Sequence, residues 1–323
     1  MHEPTPSRSC LLIMPTAFYS FASIIAAGLE QAGYRVVVAN DEYPDSIVGR
    51  LLGKLRIQRL LSAITRRVLV ERFLEGKQYD LTLIIKGRGM SPALLAEIRK
   101  RSALTIGYNF DSFKYNPAPL DWYTHVDKYY TFDYADAEQH HLPLVDLFSS
   151  LPVGQEAKTL RYDVSAILRN HSERLEYVDQ VLAATGSARS FVFVYEANIF
   201  TFALNFVKNP ALYWRYRDRI SFTSLPYKDY IEVLKSSDFT IDYAHPSQTG
   251  ITIRCFEALS ARAKFITNNP YVRRNAQFGE NNVIVFQRGG DRATLAAQYQ
   301  ARRGVVPEPH HRCIAQFIAE LTA

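Results

Sequence analysis

Cysteine is scarce in this sequence: Cys10, Cys255 and Cys313 stand far apart, in no C-x-x-C or Cys/His ligand spacing. That pattern excludes a disulfide framework, suits a reducing compartment and argues against a structural zinc site. The adjacent pairs His140–His141 and His310–His311 send their imidazoles in different directions on a helix or a strand, so both read as surface histidines rather than metal ligands. Long apolar runs are also rare. The one segment resembling a membrane or secretory stretch, Cys10 to Leu29, is broken by Pro15, Thr16, Ser20 and Ser23 and followed at once by Arg35-Val-Val-Val, so strand, turn and helix describe it better. No internal repeat, low-complexity segment or charged tail is present. With 47% hydrophobic and 22% charged residues, the composition excludes disorder and predicts a folded globular body.

A chain of 323 residues is long for one compact core and comfortable for two, which predicts two domains of about 150 residues each. The net charge of +6 is uneven. Residues 50–74 carry Arg50, Lys54, Arg56, Arg59, Arg66, Arg67 and Arg72 against Glu71 alone, a surplus equal to that of the whole chain.

Apolar runs alternate with helical patterns throughout, the mark of a parallel sheet with helices on its faces. In the first half, 11–14, 34–39, 81–86, 104–109 and 127–132 read as strands. Segments 20–32, 56–75 and 91–101 read as helices, the last opening with Ser91 as N-cap and Pro92 in the first turn. FSSLPVG at 148–154 reads as a linker. Strands are then expected at 162–168, 191–196, 220–224, 239–244, 264–269 and 282–286, with helices at 172–184, 227–236, 251–262 and 311–321. The fold class is therefore α/β with two Rossmann-like domains in tandem, residues 1–152 and 153–323. An interdomain cleft lined by the carboxyl ends of both sheets is the expected ligand site.

The segment 242–270, DYAHPSQTGITIRCFEALSARAKFITNNP, is the most informative. A strand ends at Tyr243, and a polar loop follows through His245, Ser247, Gln248, Thr249 and Gly250. A helix then places Arg254 and Glu257 three apart on one face. Gly250 would let the backbone approach a ligand, and a helix starting there favours phosphate. An ordinary helix ion pair beside a plain loop is the alternative.

This segment resembles the donor-binding core of the GT-B glycosyltransferases, particularly bacterial surface-polysaccharide enzymes with an H-P-x-Q-x-G-(I/L)-T-x-R-x-x-E-A-L pattern. The resemblance implies that Glu257 binds the ribose hydroxyls of a nucleotide-sugar donor, Gly250 lies in the phosphate loop and Arg254 meets the diphosphate. His245, Gln248 and Thr249 complete the donor-binding set. Retaining members commonly carry a glutamate eight positions before the ribose glutamate. Thr249 stands there in this chain, so the resemblance supports donor binding without fixing the stereochemistry.

VSAILRNHSER at 164–174 ends a strand with Arg169, Asn170, His171 and Ser172, and Arg169 could stabilise charge developing on a leaving diphosphate. A solvated turn with Ser172 as N-cap is the alternative. In the first half, YNFDSF places Asp111 just beyond a strand, and FDYAD places Asp133 after another with Asp136 one turn on. Similar Y-x-x-D-S and F-D-x-x-D stretches occupy the cleft side in the enzymes that this chain resembles. A carboxylate there could deprotonate an acceptor hydroxyl. Asp111 is the preferred catalytic base, with an Asx turn as its alternative, because Asp133 also suits a helix N-cap. IKGRG at 85–89 offers Lys86 and Arg88 to an anion, although a lone G-x-G is weak evidence.

No D-x-D pair follows a strand, so no metal and no cofactor is expected, and cationic side chains and helix dipoles would neutralise the leaving group. The basic segment 50–74 interleaves its cations with leucines and could lie on an anionic membrane surface, or pack as a core helix with a solvated basic face. No nucleic-acid motif accompanies it. The expected protein is a cytoplasmic glycosyltransferase, in some settings peripheral on the inner face of the cytoplasmic membrane. It would move sugar from a nucleotide-sugar donor to a bacterial surface polysaccharide or a lipid-linked glycan acceptor. A GT-B-like nucleotide-sugar epimerase or hydrolase, and a non-catalytic membrane- or partner-binding module, are the alternatives.

Overall fold

The computed structural model describes residues 8–16, 21–44, 46, 58–152, 159–305, 307 and 312–323. Arg50, Lys54 and Arg56 of the basic segment, Val153 and Gly154 of the expected linker, and His310–His311 lie outside the described residues. The chain divides into two compact units. One comprises Met1–Ser150, Ser247–Gly250 and Arg312–Ala323, the other Leu151–Pro246 and Ile251–His311.

In the first unit, β1 (Arg8–Ile13), α1 (Phe21–Gln31), β2 (Tyr34–Ala39), α2 (Gln58–Leu69), β3 (Tyr79–Ile85), α3 (Pro92–Arg99), β4 (Ser102–Asn109), β5 (Lys128–Thr131) and α4 (Tyr134–His140) follow in order. The sheet order is β2-β1-β3-β4-β5, every pair parallel, with Arg8 opposite Tyr34 and Cys10 opposite Leu81. Strands covered on both faces read as continuous apolar runs, and Leu11, Leu12 and Ile13 of β1 are fully buried. The expected N-cap holds: Ser91 Oγ accepts Leu94 N–H at 3.4 Å, with Pro92 opening α3. Core residues Ile84, Leu94, Ile98 and Trp122 pack beneath the sheet, and the Trp122 indole donates to the Gly87 carbonyl at 2.9 Å.

The second unit runs β6 (Tyr162–Arg169), α5 (Arg174–Thr185), β7 (Ser190–Tyr195), α6 (Ile199–Lys208), α7 (Pro210–Arg215), β8 (Ile220–Ser221), α8 (Tyr227–Lys235), β9 (Ser237–Asp242), α9 (Ile253–Ser260), β10 (Lys264–Thr267), β11 (Val283–Val285) and α10 (Arg292–Arg302). Its order is β11-β10-β9-β6-β7-β8, again all parallel. From β6 the chain steps outward to β7 and β8, then returns to the other side of β6 with β9. The topological switch point therefore lies between β6 and β9, the place where open α/β sheets as a class bind ligands outside the carboxyl ends of their strands.

A final helix, α11 (Ile314–Thr322), belongs to the first unit, not to the second as the division at 152/153 expects. Phe317 packs its ring against Tyr108 and Phe148, with centroids 5.1 and 4.9 Å away. Buried Arg312 donates to the carbonyls of Asp146 and Leu147 and forks onto Glu320 through two 2.6 Å bonds. Helices α6, α7 and α10 are not anticipated from the sequence. Among the described residues, no helix is long and apolar enough to cross a membrane.

Candidate functional site

The carboxyl end of β6 delivers Arg169, Asn170 and His171, and the end of β9 delivers Asp242, Tyr243 and, after Ala244, His245. These two ends flank the switch point, and the rings of His171 and His245 come within 6.1 Å. Burial, aided by Arg174, His245 and Arg169, pushes the His171 imidazole down from 6.5 to about 4. The ring is thus neutral at pH 7 in a basic surrounding. Ser172 and Glu173 occupy the left-handed region at φ 54° and 63°, a conformation that costs of order 1–3 kcal/mol each and concentrates at ligand-binding turns. Asn170 is held from behind, its amide donating to the buried Glu196 carboxylate at 2.8 Å while Tyr213 donates to the same oxygen at 2.6 Å. Arg174, the first residue of α5, is a cation that the sequence offers only as a member of the 164–174 run. It stands in the first turn of α5, and its charge helps to lower the His171 pKa.

Asp242 organises the next part of the second unit. Its buried carboxylate accepts Thr252 Oγ1 at 2.7 Å and Thr267 Oγ1 at 2.9 Å, and Arg254 Nη1 lies 3.8 Å away. Thr252 is the residue before α9, and because its hydroxyl turns to Asp242 it does not cap the first turn of that helix. Glu257 is 5% exposed and accepts Tyr227 OH at 3.0 Å and Tyr230 OH at 2.7 Å. The expected Arg254–Glu257 face is formed, with Arg254 near Asp242 and Glu257 against the two tyrosines. Asp242 escaped notice because a strand-ending aspartate gains meaning only when Thr252 and Thr267, 10 and 25 residues on, converge upon it.

In the first unit, β3, β4 and β5 end in loops that carry the remaining candidates. Asp111 Oδ2 lies 2.7 Å from Lys86 Nζ, and Asp111 Oδ1 accepts Gln248 Nε2 at 3.0 Å. The turn itself is made by Asn109, whose side chain accepts Asp111 N–H at 3.2 Å, so the Asp111 carboxylate serves no Asx turn of its own. Arg88 pairs with buried Asp41 at 3.3 Å.

Asp133 caps α4, accepting Ala135 and Asp136 N–H at 3.1 Å each. It also accepts Thr249 N–H at 2.6 Å, Thr249 Oγ1 at 2.7 Å and Gly250 N–H at 3.2 Å. With five donors on it and 1% exposure, this carboxylate holds backbone. Asp136 beside it is pushed up to about 6 by burial, opposed by the Phe113 N–H bond. A Cβ on Gly250 would collide with the Phe132 ring, so the close backbone approach expected of this glycine is made to an aromatic ring. Gln248, Thr249 and Gly250, expected beside the donor, thus meet the carboxylates of Asp111 and Asp133. Among the described residues, no group of three or more His, Cys, Asp or Glu could hold a metal ion.

No protein-family model matches the sequence, and no curated protein matches it. Solved structures do. The chain is similar to the apo form of the lipopolysaccharide outer core galactosyltransferase WaaB at 12% identity, covering 97% of this chain and 95% of that one, with a TM-score of 0.55. HepE of Anabaena, solved in complex with UDP-glucose, matches at 12% identity over 91% and 89% of the two chains, TM-score 0.57. The UDP-GlcNAc 2-epimerase of Methanocaldococcus jannaschii matches at 10% identity over 97% and 99%, TM-score 0.56. At such identities the likeness defines the fold: the chain has the GT-B architecture of two Rossmann-like domains in tandem.

Proposed function

We propose that this protein is a glycosyltransferase that moves a sugar from a nucleotide-sugar donor to a bacterial surface polysaccharide or lipid-linked glycan acceptor. The observation that carries the proposal is the basic cluster at the β6/β9 switch point, where Arg169, Arg174, His171 and His245 gather at the place where this topology binds ligands. The second unit is the donor domain. Arg169 and Arg174 neutralise the diphosphate, Glu257 takes the ribose diol, and Arg254 with Asp242 fixes the start of α9. The first unit is the acceptor-side domain and supplies the base. The acceptor hydroxyl oxygen forms the new bond to the anomeric carbon, its proton passes to the Asp111 carboxylate, and the bond to the donor diphosphate breaks. Lys86 and Gln248 orient that carboxylate.

Fixed cations in place of a divalent metal are part of the proposal, so EDTA should leave turnover intact. The likeness to the galactosyltransferase WaaB and to the UDP-glucose complex of HepE supports a nucleotide-sugar donor.

A thermal-shift screen against UDP, GDP, dTDP, ADP and CMP tests donor binding. A ligand at 100 times its Kd adds about 2.7 kcal/mol of stability, well above the noise of such a scan. Failure of every nucleotide to stabilise the protein would reject the proposal and favour a non-catalytic module. The likeness to the 2-epimerase supports a second reading on the same donor site, and sugar isomerised or released without acceptor would establish it.

A further inference from the structure

Helix α6 is apolar on two sides. Asn198 caps it, accepting Phe200 and Thr201 N–H at 3.1 and 2.9 Å. Phe202 and Phe206 point inward, with ring centroids 5.6 and 6.3 Å from Tyr213, and Phe202 also meets Phe222 at 5.7 Å. That inner face anchors the helix. The outer stripe, at i, i+4 and i+7, consists of Phe200, Leu204 and Val207, which are 78%, 65% and 78% exposed. A soluble helix normally turns polar residues outward, and this one presents a convex ridge of large apolar side chains.

Charge identifies what covers the ridge. From Asn198 to Arg217 the chain contains Lys208, Arg215 and Arg217 and no aspartate or glutamate. Arg215 is engaged by Asp179 at 2.6 Å. Trp214 on α7 is 65% exposed, and the Arg217 guanidinium lies 4.9 Å from its ring centre. Arg217 lies 3.6 Å from the exposed carboxylate of Asp218, and Lys208 and Arg219 leave the patch a surplus of cations over acids. Large apolar side chains, an exposed tryptophan and that surplus of cations match the layered chemistry of an anionic bilayer surface, with acyl carbon below and phosphate above.

We propose that α6 and the turn into α7 form a membrane-docking surface, with Phe200, Leu204 and Val207 entering the acyl boundary and Lys208 and Arg217 meeting the lipid phosphates. The surface belongs to the second unit, whereas residues 50–74 belong to the first, and it does not depend on the reaction proposed above. In α2, Leu61, Thr65 and Leu69 are buried, and Arg66 and Arg67 face Glu97 and Glu71.

The test is co-sedimentation of the full chain with phosphatidylcholine vesicles, with and without phosphatidylglycerol. The wild-type protein should partition onto the anionic vesicles and shift its tryptophan emission to the blue through Trp214, since Trp122 is already buried. Phe200→Ser/Leu204→Ser should lose about tenfold or more of that binding. Lys208→Gln/Arg217→Gln should lose binding at low salt and match wild type at high salt. Arg59→Gln/Arg66→Gln/Arg67→Gln should retain binding. Wild-type protein that ignores anionic vesicles, with no emission shift, overturns the proposal whether or not any variant folds. So does unchanged binding by Phe200→Ser/Leu204→Ser. A dimer that this variant dissociates, with no vesicle binding by wild type, would assign the ridge to a second copy instead.

Discussion

Glu257 offers the most informative perturbation, because an internal anchor and a nucleotide ligand give different results. Its carboxylate accepts two tyrosine hydroxyls, and a hydrogen bond to a charged group is worth about 1.5–3 kcal/mol. Tyr227 is 45% exposed and can turn its hydroxyl to water, so the stability loss in Glu257→Ala falls mainly on the half-buried Tyr230 and on the vacated space. Together these amount to roughly 2–4 kcal/mol. A carboxylate has about four lone-pair sites, so two tyrosines do not by themselves exclude a ribose diol. Losing charge-assisted bonds to that diol should raise the dissociation constant of whichever nucleotide the thermal-shift screen selects about 10- to 150-fold. Tyr230→Phe, which removes one anchoring bond and leaves the carboxylate, should destabilise the fold by about 1–2 kcal/mol and leave that affinity near wild type. Urea unfolding gives the first quantity, and titration calorimetry well below the unfolding midpoint gives the second. A folded Glu257→Ala protein that binds that nucleotide with wild-type affinity would remove Glu257 from the nucleotide site and leave it as an anchor.

Asp111→Asn should lower turnover by about 10²–10⁴ while donor affinity stays near wild type, and normal turnover would return the base to the other carboxylates. His171, held near 4 when folded against 6.5 when free, binds fewer protons in the native state between those values. Stability should therefore fall as pH drops through that window, His171→Gln should flatten the fall in urea melts, and nucleotide binding within the window should take up protons. Phe317→Ala should cost the first unit about 3–5 kcal/mol, read from Trp122 emission in a Trp214→Phe background, and an unmoved transition would detach α11 from that core.

The strands were legible because parallel strands buried on both faces are written as largely apolar runs, unbroken in residues 11–14 and interrupted only by Thr240 and Asp242 in residues 239–244. Helix α6 was not, since Phe200, Leu204 and Val207 on one face and Phe202 and Phe206 on the other erase the polar side that marks amphipathic periodicity. The basic turn at 169–171 was readable as a strand end bearing cations, yet its meeting with His245 depends on sheet order, which no local pattern states. Gly250 carries a similar lesson. Its lack of a side chain was visible, whereas the ring of Phe132, 118 positions earlier in the chain, supplies the reason.

Helix α11 gives the first unit a core that the chain completes only after building the whole second unit. On the ribosome, residues 8–150 emerge with Phe148 and Tyr108 uncovered and with the Asp146 and Leu147 carbonyls still awaiting Arg312. At translation speeds of about 5–20 residues per second, the nascent first unit waits roughly 10–35 s for α11 to arrive. During that interval an apolar seam is open to chaperones, and a messenger truncated between residues 151 and 311 would yield a product with that seam permanently bare.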